Sequence, residues 1–205
     1  MAIRTAASIE DVLRLGARGE RYEIIDGEMV AMSPTGLQHA NVETHVAWVF
    51  HSYVLPRGLG QVYSGEALFR LDPEARLSRA PDVAFVRQER LEGQDLTGAF
   101  AGAPDLAVEI VSPSDSAKDI QRKVEDWLAY GTRVVLVLYP ETRILVFWHP
   151  DHAVPLHGDD IVDLDEVLPG FRCTVRDLLP PTWSNRTESI QEGSTESAKR
   201  EDSAT

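Results

Sequence analysis

The stretch Asp105-Leu-Ala-Val-Glu-Ile-Val111 is apolar on both parities, and the sequence after it turns helical and then apolar again. A strand apolar on both parities is covered on both faces of its sheet. Residues 116–130 place Ile120, Val124, Trp127 and Leu128 on one helical face, and Gly131 follows as the stop. Residues 134–139, Val-Val-Leu-Val-Leu-Tyr, read as the most buried strand of the chain. Strand, helix and strand in this order predict a sheet with helices packed on it.

Working outward, residues 144–148 read as a strand returning through Pro140-Glu141-Thr142, and residues 82–86 as a strand entered through Pro81. Residues 61–71 alternate loosely and read as one strand. Residues 91–103 hold three glycines and little periodicity, which predicts a loop. Upstream, residues 38–55 predict a helix with Val42, Val46, Val49, Phe50 and Tyr53 on one face. Asp26-Gly27 between residues 22–25 and 28–32 is a hairpin signal. Residues 8–15 read as a short helix capped by Ser8, and residues 175–179 as a last amphipathic turn. The fold class expected is α/β, in the mixed α+β sense. Residues 1–20 form an N-terminal helix and arm, 21–180 the domain, and 181–205, poor in large apolar residues, a disordered tail.

Composition sets further bounds. The chain has 205 residues, 43% of them hydrophobic and 26% charged, which predicts one globular domain. The longest apolar or aromatic run is the six residues 134–139, against the ~20 of a spanning helix, so no membrane association is expected. The single cysteine, Cys173, excludes an internal disulfide and a cysteine-rich zinc site. With Glu10 and Asp11 where a signal peptide is apolar, a cytoplasmic location is expected. The net charge of -13 is the reverse of a general nucleic-acid coat.

Three charged residues stand out. Glu109 lies mid-strand among apolar residues, where a lone carboxylate is costly unless a cation compensates it. The compensating group is a cation, an arginine or a metal ion; the structural alternatives are a glutamate paired with an arginine and one emerging at a sheet edge. Asp82 opens the apolar strand 82–86, as a functional acid or an ordinary strand-start cap. Lys123 is one of three lysines and lies about 60° from Ile120 and about 40° from Trp127 around the helix. Its stem can run along apolar surface toward the sheet, or the residue can pair with Asp119 at the surface. Two carboxylates from neighbouring strands with an amine suit Mg²⁺ (or Mn²⁺), phosphate polarisation and water activation.

The order Pro81-Asp82, then Glu109 after 26 intervening residues, then a basic residue, resembles the PD-(D/E)XK nuclease superfamily. The chain is more similar still to its Uma-two branch, restriction-type endonucleases of bacteria. Tyr22-Glu-Ile-Ile-Asp-Gly-Glu28, Ser33-Pro-Thr35 with His39, Pro81-Asp82-Val83 and Gly102-Ala-Pro-Asp-Leu-Ala-Val-Glu-Ile-Val-Ser-Pro-Ser114 carry the likeness, over about residues 20–180. Position 111, where the superfamily has its third residue, is Val111, and Lys123 matches the lysine that this branch places on the next helix. Trp127 stands where the branch has tyrosine, and Tyr139 where it often has aspartate.

The resemblance implies a restriction-endonuclease-like core, a mixed central sheet flanked by helices. It implies a metal-dependent endonuclease acting on DNA, with Asp82, Glu109, Lys123 and His39 as catalytic residues. Asp82, Glu109, the Ile110 backbone carbonyl and Glu28 would hold Mg²⁺ or Mn²⁺. His39 reads otherwise as a helix-start histidine satisfied by backbone, and Glu28 as a solvated strand residue. Ser112 and Ser114 lack the glycine pattern of a nucleophile elbow and read as a strand-to-helix turn. A homodimer suits a cut in two antiparallel strands. The alternatives are a nuclease-fold protein that binds or regulates without cutting, and a two-carboxylate glycosidase, which needs aromatic platforms that Trp127 and Trp148 do not obviously supply.

Overall fold

Two opposed apolar faces on one sheet organise the chain. The computed structural model describes residues 7–180 apart from 66, 73 and 75. The tail expected at 181–205 and the first six residues lie outside the described residues. Helix α1 (Ile9–Gly16) starts at Ser8, whose hydroxyl accepts from the Asp11 N–H. The hairpin of β1 (Tyr22–Ile25) and β2 (Glu28–Ala31) turns at Asp26 and Gly27, both at positive φ, as a two-residue turn requires. Helix α2 (Leu37–Val54) runs into a 3₁₀ turn at Leu55–Arg57.

Where one strand was expected over 61–71 there are two, β3 (Gly60–Ser64) and β4 (Phe69–Arg70), in different sheets. Gly65, at φ 73, turns the chain between them, a break that side-chain alternation does not report. Strand β5 (Ser78–Arg79) precedes β6 (Val83–Arg87). The expected loop 91–103 holds the end of α3 (Gln88–Leu91) and the two residues of β7 (Phe100–Ala101). Then come β8 (Leu106–Ile110), α4 (Ala117–Ala129), β9 (Val134–Tyr139) and β10 (Ile144–Trp148). The chain closes with β11 (Ala153–His157), β12 (Ile161–Asp163), β13 (Arg172–Thr174) and α5 (Val175–Leu178).

The main sheet has the order β11-β10-β9-β8-β6-β3, and only β8 and β9 pair in parallel within it. A second sheet has the order β2-β1-β5-β4-β7. Leu106, Val108 and Ile110 of β8 face a core shared with α2 (Val42, Val46, Phe50) and α5. Ala107, with Val135 and Val137 of β9, faces a second core of Ile120, Val124 and Trp127 from α4 and Phe69 from the smaller sheet. Burial on both sides is why β8 carries no polar alternation, and why an acid placed in it must be compensated from α4. Among the described residues no helix is long and apolar enough to cross a membrane.

Candidate active site

The Glu109 side chain is 1% exposed, in the middle of β8, with both oxygens engaged. Lys123 Nζ donates to Oε2 at 2.8 Å, and the Trp127 indole N–H donates to Oε1 at 2.7 Å. The two donors are i and i+4 on α4, so one helical face delivers both to one carboxylate. Asp119, the surface partner weighed for Lys123, serves the Ser116 cap of α4 instead. Glu109 is therefore compensated neither by an arginine nor by a sheet edge.

Asp82 sits one residue before β6, where the β6–β8 pairing runs from Val83↔Val108 to Phe85↔Leu106. Its Oδ2 accepts from the Ile110 N–H at 2.6 Å, adding a side-chain rung beyond the strand's own ladder. That rung fixes the carboxylate beside the end of β8, close enough for its charge to act on Glu109. His39, in the first turn of α2, is buried, with Nε2 3.3 Å from Asp82 Oδ2. The Ile110 backbone carbonyl also acts on the His39 ring, so Asp82, His39 and Ile110 meet at one point. His39 Nδ1 is buried with no hydrogen-bond partner.

Glu43, one turn further along α2, joins this point. One ligand atom from each of His39, Glu43 and Asp82 lies within 4.8 Å of the others. Sequence reasoning passed Glu43 over, although its i+4 spacing from His39 put both on one helix face. It also passed over the Trp127 indole N–H, since Trp127 read as packing. Glu28 stands on β2, exposed and in the smaller sheet. Ser112, half-buried, and Ser114, exposed, lie in the strand-to-helix turn with their hydroxyls 2.9 Å apart.

Burial dominates the protonation of Glu109. It pushes the carboxyl up from 4.5 to about 7, against the pull of Lys123 and with the push of Asp82. Burial alone would lower the Lys123 ammonium, but Glu109 first, then Glu23 and Asp82, outweigh it and hold Lys123 charged above the ordinary lysine range. Burial likewise works against the His39 imidazolium, and Asp82, with Glu43 behind it, holds its pKa above the usual histidine value.

A measurable consequence follows for Glu109. Its folded pKa is raised, so its contribution to stability is full below pH 4.5 and is lost as pH rises through about 7. In chelator, the urea unfolding free energy of the wild type is expected to fall by about 3 kcal/mol more than that of Glu109→Gln across that window. Parallel curves for the two proteins would assign the titration elsewhere.

A buried ion cluster ties α4 to the smaller sheet. Arg79 of β5, 3% exposed, donates from Nη1 to Glu23 Oε2 of β1 at 2.7 Å and from Nε to Asp126 Oδ2 of α4 at 3.0 Å. The Ala80 N–H donates to the other Glu23 oxygen at 3.0 Å. Asp126 lies between Lys123 and Trp127 in sequence, so the clamp holds the helix turn that serves Glu109.

The sequence pattern of the family Uma2, described as "Putative restriction endonuclease", matches residues 9–176. The chain belongs to the Uma2 family. A crystal structure at 1.96 Å of a protein from Anabaena variabilis, described as "a putative nuclease", is similar in fold. Its TM-score is 0.71 at 19% identity, over 84% of this chain and 97% of that one. No curated protein matches the chain. The fold is restriction-endonuclease-like, a mixed central sheet flanked by helices, as the Uma2 resemblance implied. Within it, Asp82, Glu109, Lys123 and His39 come together from β6, β8, α4 and α2.

Proposed function

We propose that this chain is a metal-dependent endonuclease that hydrolyses phosphodiester bonds in DNA. The observation that carries the reading is Glu109, a buried acid in a central strand, held between Lys123 and Trp127 with Asp82 beside it. Membership of the Uma2 family supports it.

The donor set fits the ion. Asp82, Glu109 and the Ile110 carbonyl supply oxygens, as Mg²⁺ or Mn²⁺ requires, and each engaged carboxylate oxygen keeps a lone pair free. When bound, the ion would polarise the scissile phosphate and lower the pKa of the attacking water. Lys123, held charged, neutralises negative charge developing on the phosphate or positions the water. Trp127 fixes the plane of the Glu109 carboxylate, and His39 orients Asp82. A homodimer would present two such sites to two antiparallel strands, and light scattering giving a strict monomer would count against that part.

The test is incubation of supercoiled plasmid with the purified chain and Mg²⁺ or Mn²⁺. Nicked and linear products are expected, and chelator abolishes them. The net charge of -13 favours one second reading, a nuclease-fold module that binds or regulates without cutting. No Mn²⁺ heat in calorimetry together with no cleavage of any nucleic acid would select it.

A further inference from the structure

We propose that the outer face of α2 is a self-association surface, on which a second copy of this chain packs its own α2 antiparallel to the first. This gives the homodimer a surface, and it holds whether or not the chain cuts DNA. Helix α2 turns Val42, Val46, Phe50 and Val54 into the core. On the opposite side Leu37, Asn41, Thr44, Trp48, His51 and Leu55 are exposed. At about 100° per residue these six lie within a band of about 80°. Three of them are large and apolar: Leu37 is 92% exposed, Trp48 63% and Leu55 57%.

The spacing along the stripe is 4, 3, 4, 3 and 4, the alternation that lets two helices run side by side. That series reads the same from either end, so a twofold axis across its middle fits the stripe to itself. Leu37 then meets Leu55 of the partner subunit, Asn41 meets His51 of the partner subunit, and Thr44 meets Trp48 of the partner subunit. Leucines close both ends, an amide faces an imidazole, and the two tryptophans flank the axis about 6 Å apart along it. A buried aromatic anchor at the centre of an interface carries much of its energy. A parallel pair would set imidazole on imidazole and bring like helix ends together, which the helix dipoles disfavour.

Charge selects the occupant. Two copies with a net charge of -13 each repel, and they meet at least cost where neither face is charged. Among the eighteen residues of α2, Glu43 is the only acid and there is no lysine or arginine. Glu43 lies off the stripe, where it accepts from the Gly65 N–H at 2.8 Å. A face without charges and with a central tryptophan has the composition of an interface core. A nucleic acid or an anionic membrane would instead need clustered lysine and arginine here. One helix pair about 27 Å long stands near the lower limit of specific interfaces, about 1,200 Å² in total. A dissociation constant of about a micromolar is therefore expected.

The test is sedimentation equilibrium of the full chain from about 1 to about 200 µM, which brackets that constant. A monomer–dimer equilibrium is expected. Trp48→Glu places two like charges at the axis and should weaken the dimer at least about a hundredfold. Its circular dichroism should stay that of the wild type, because Trp48 faces water in the monomer. Ile161→Glu, at an exposed apolar position of β12, should leave the dimer intact. Oxidation of Leu37→Cys mixed with Leu55→Cys should cross-link the mixture and neither variant alone, whereas a parallel pair would cross-link each variant with itself. A strict monomer at the highest concentration, a dimer that survives Trp48→Glu, a dimer lost in Ile161→Glu, or a mixture that does not cross-link would each overturn the proposal. The wild-type equilibrium and the cross-link give the answer even if Trp48→Glu fails to fold. A dimer without plasmid cleavage would sink the nuclease reading alone, and cleavage by a strict monomer would sink this one alone.

Discussion

Glu109→Gln is expected to lower metal-dependent plasmid cleavage by about a thousandfold, the upper range for removal of one electrostatic group from a catalytic centre. Gln keeps the size of the side chain and one acceptor oxygen, which can serve Lys123 or Trp127 but not both, while the negative charge is lost. Lys123→Ala tests the other half of the pair. It leaves Glu109 as a buried acid that has lost its ammonium partner and keeps the like charge of Asp82 beside it, so its carboxyl titrates higher than in the wild type. Cleavage should fall at least about a hundredfold, and what remains should move to higher pH, where the acid ionises. Unchanged cleavage in Glu109→Gln would remove the proposed chemistry. An unshifted pH profile in Lys123→Ala would mean that the amine acts elsewhere.

Arg79→Met is expected to be the most destabilising single substitution in the smaller sheet. The guanidinium bridges Glu23 and Asp126, and removing it takes from the buried Glu23 carboxylate the cation that hydrogen-bonds it, leaving Lys123 to act on it by charge alone. Breaking a buried pair by deleting one partner costs about 3–5 kcal/mol, because a charge is left in a poor solvent. Urea unfolding at pH 7 is the measurement, and a cost below about 1 kcal/mol, the scale of a surface pair, would show that the cluster is solvated in solution. The same variant loosens the α4 turn between Lys123 and Trp127, so cleavage should fall as well.

The core triad was legible because each member breaks a local rule. Glu109 interrupts an apolar run, Asp82 opens one, and Lys123 is conspicuous in a chain with three lysines. The order of β8, α4, β9 and β10 was legible because the strands are apolar runs and α4 between them carries a helical apolar stripe. Glu43 was not, because a glutamate at the border of an apolar stripe reads as a solvated face until Asp82 is placed opposite it. The Trp127 hydrogen bond was hidden behind the packing role of the same ring, which meets Phe69 edge-on at 6.1 Å. The Arg79 clamp joins residues 47 and 56 positions apart, and no local pattern carries such a pairing. The split at Gly65 and the three-residue strands β12 and β13 fall below the length at which alternation is a signal.

Glu109 and Lys123 are only fourteen residues apart, and the helix between β8 and β9 is itself the crossover that joins these parallel neighbours. Acid and amine are thus parts of one supersecondary unit, assembled by contacts short in sequence. A circular permutant opened between the exposed residues Glu92 and Gly93 would separate Asp82 from that unit but leave the unit whole. Such a chain should still form the ammonium–carboxylate pair early in refolding, with the aspartate docking as a later, slower event.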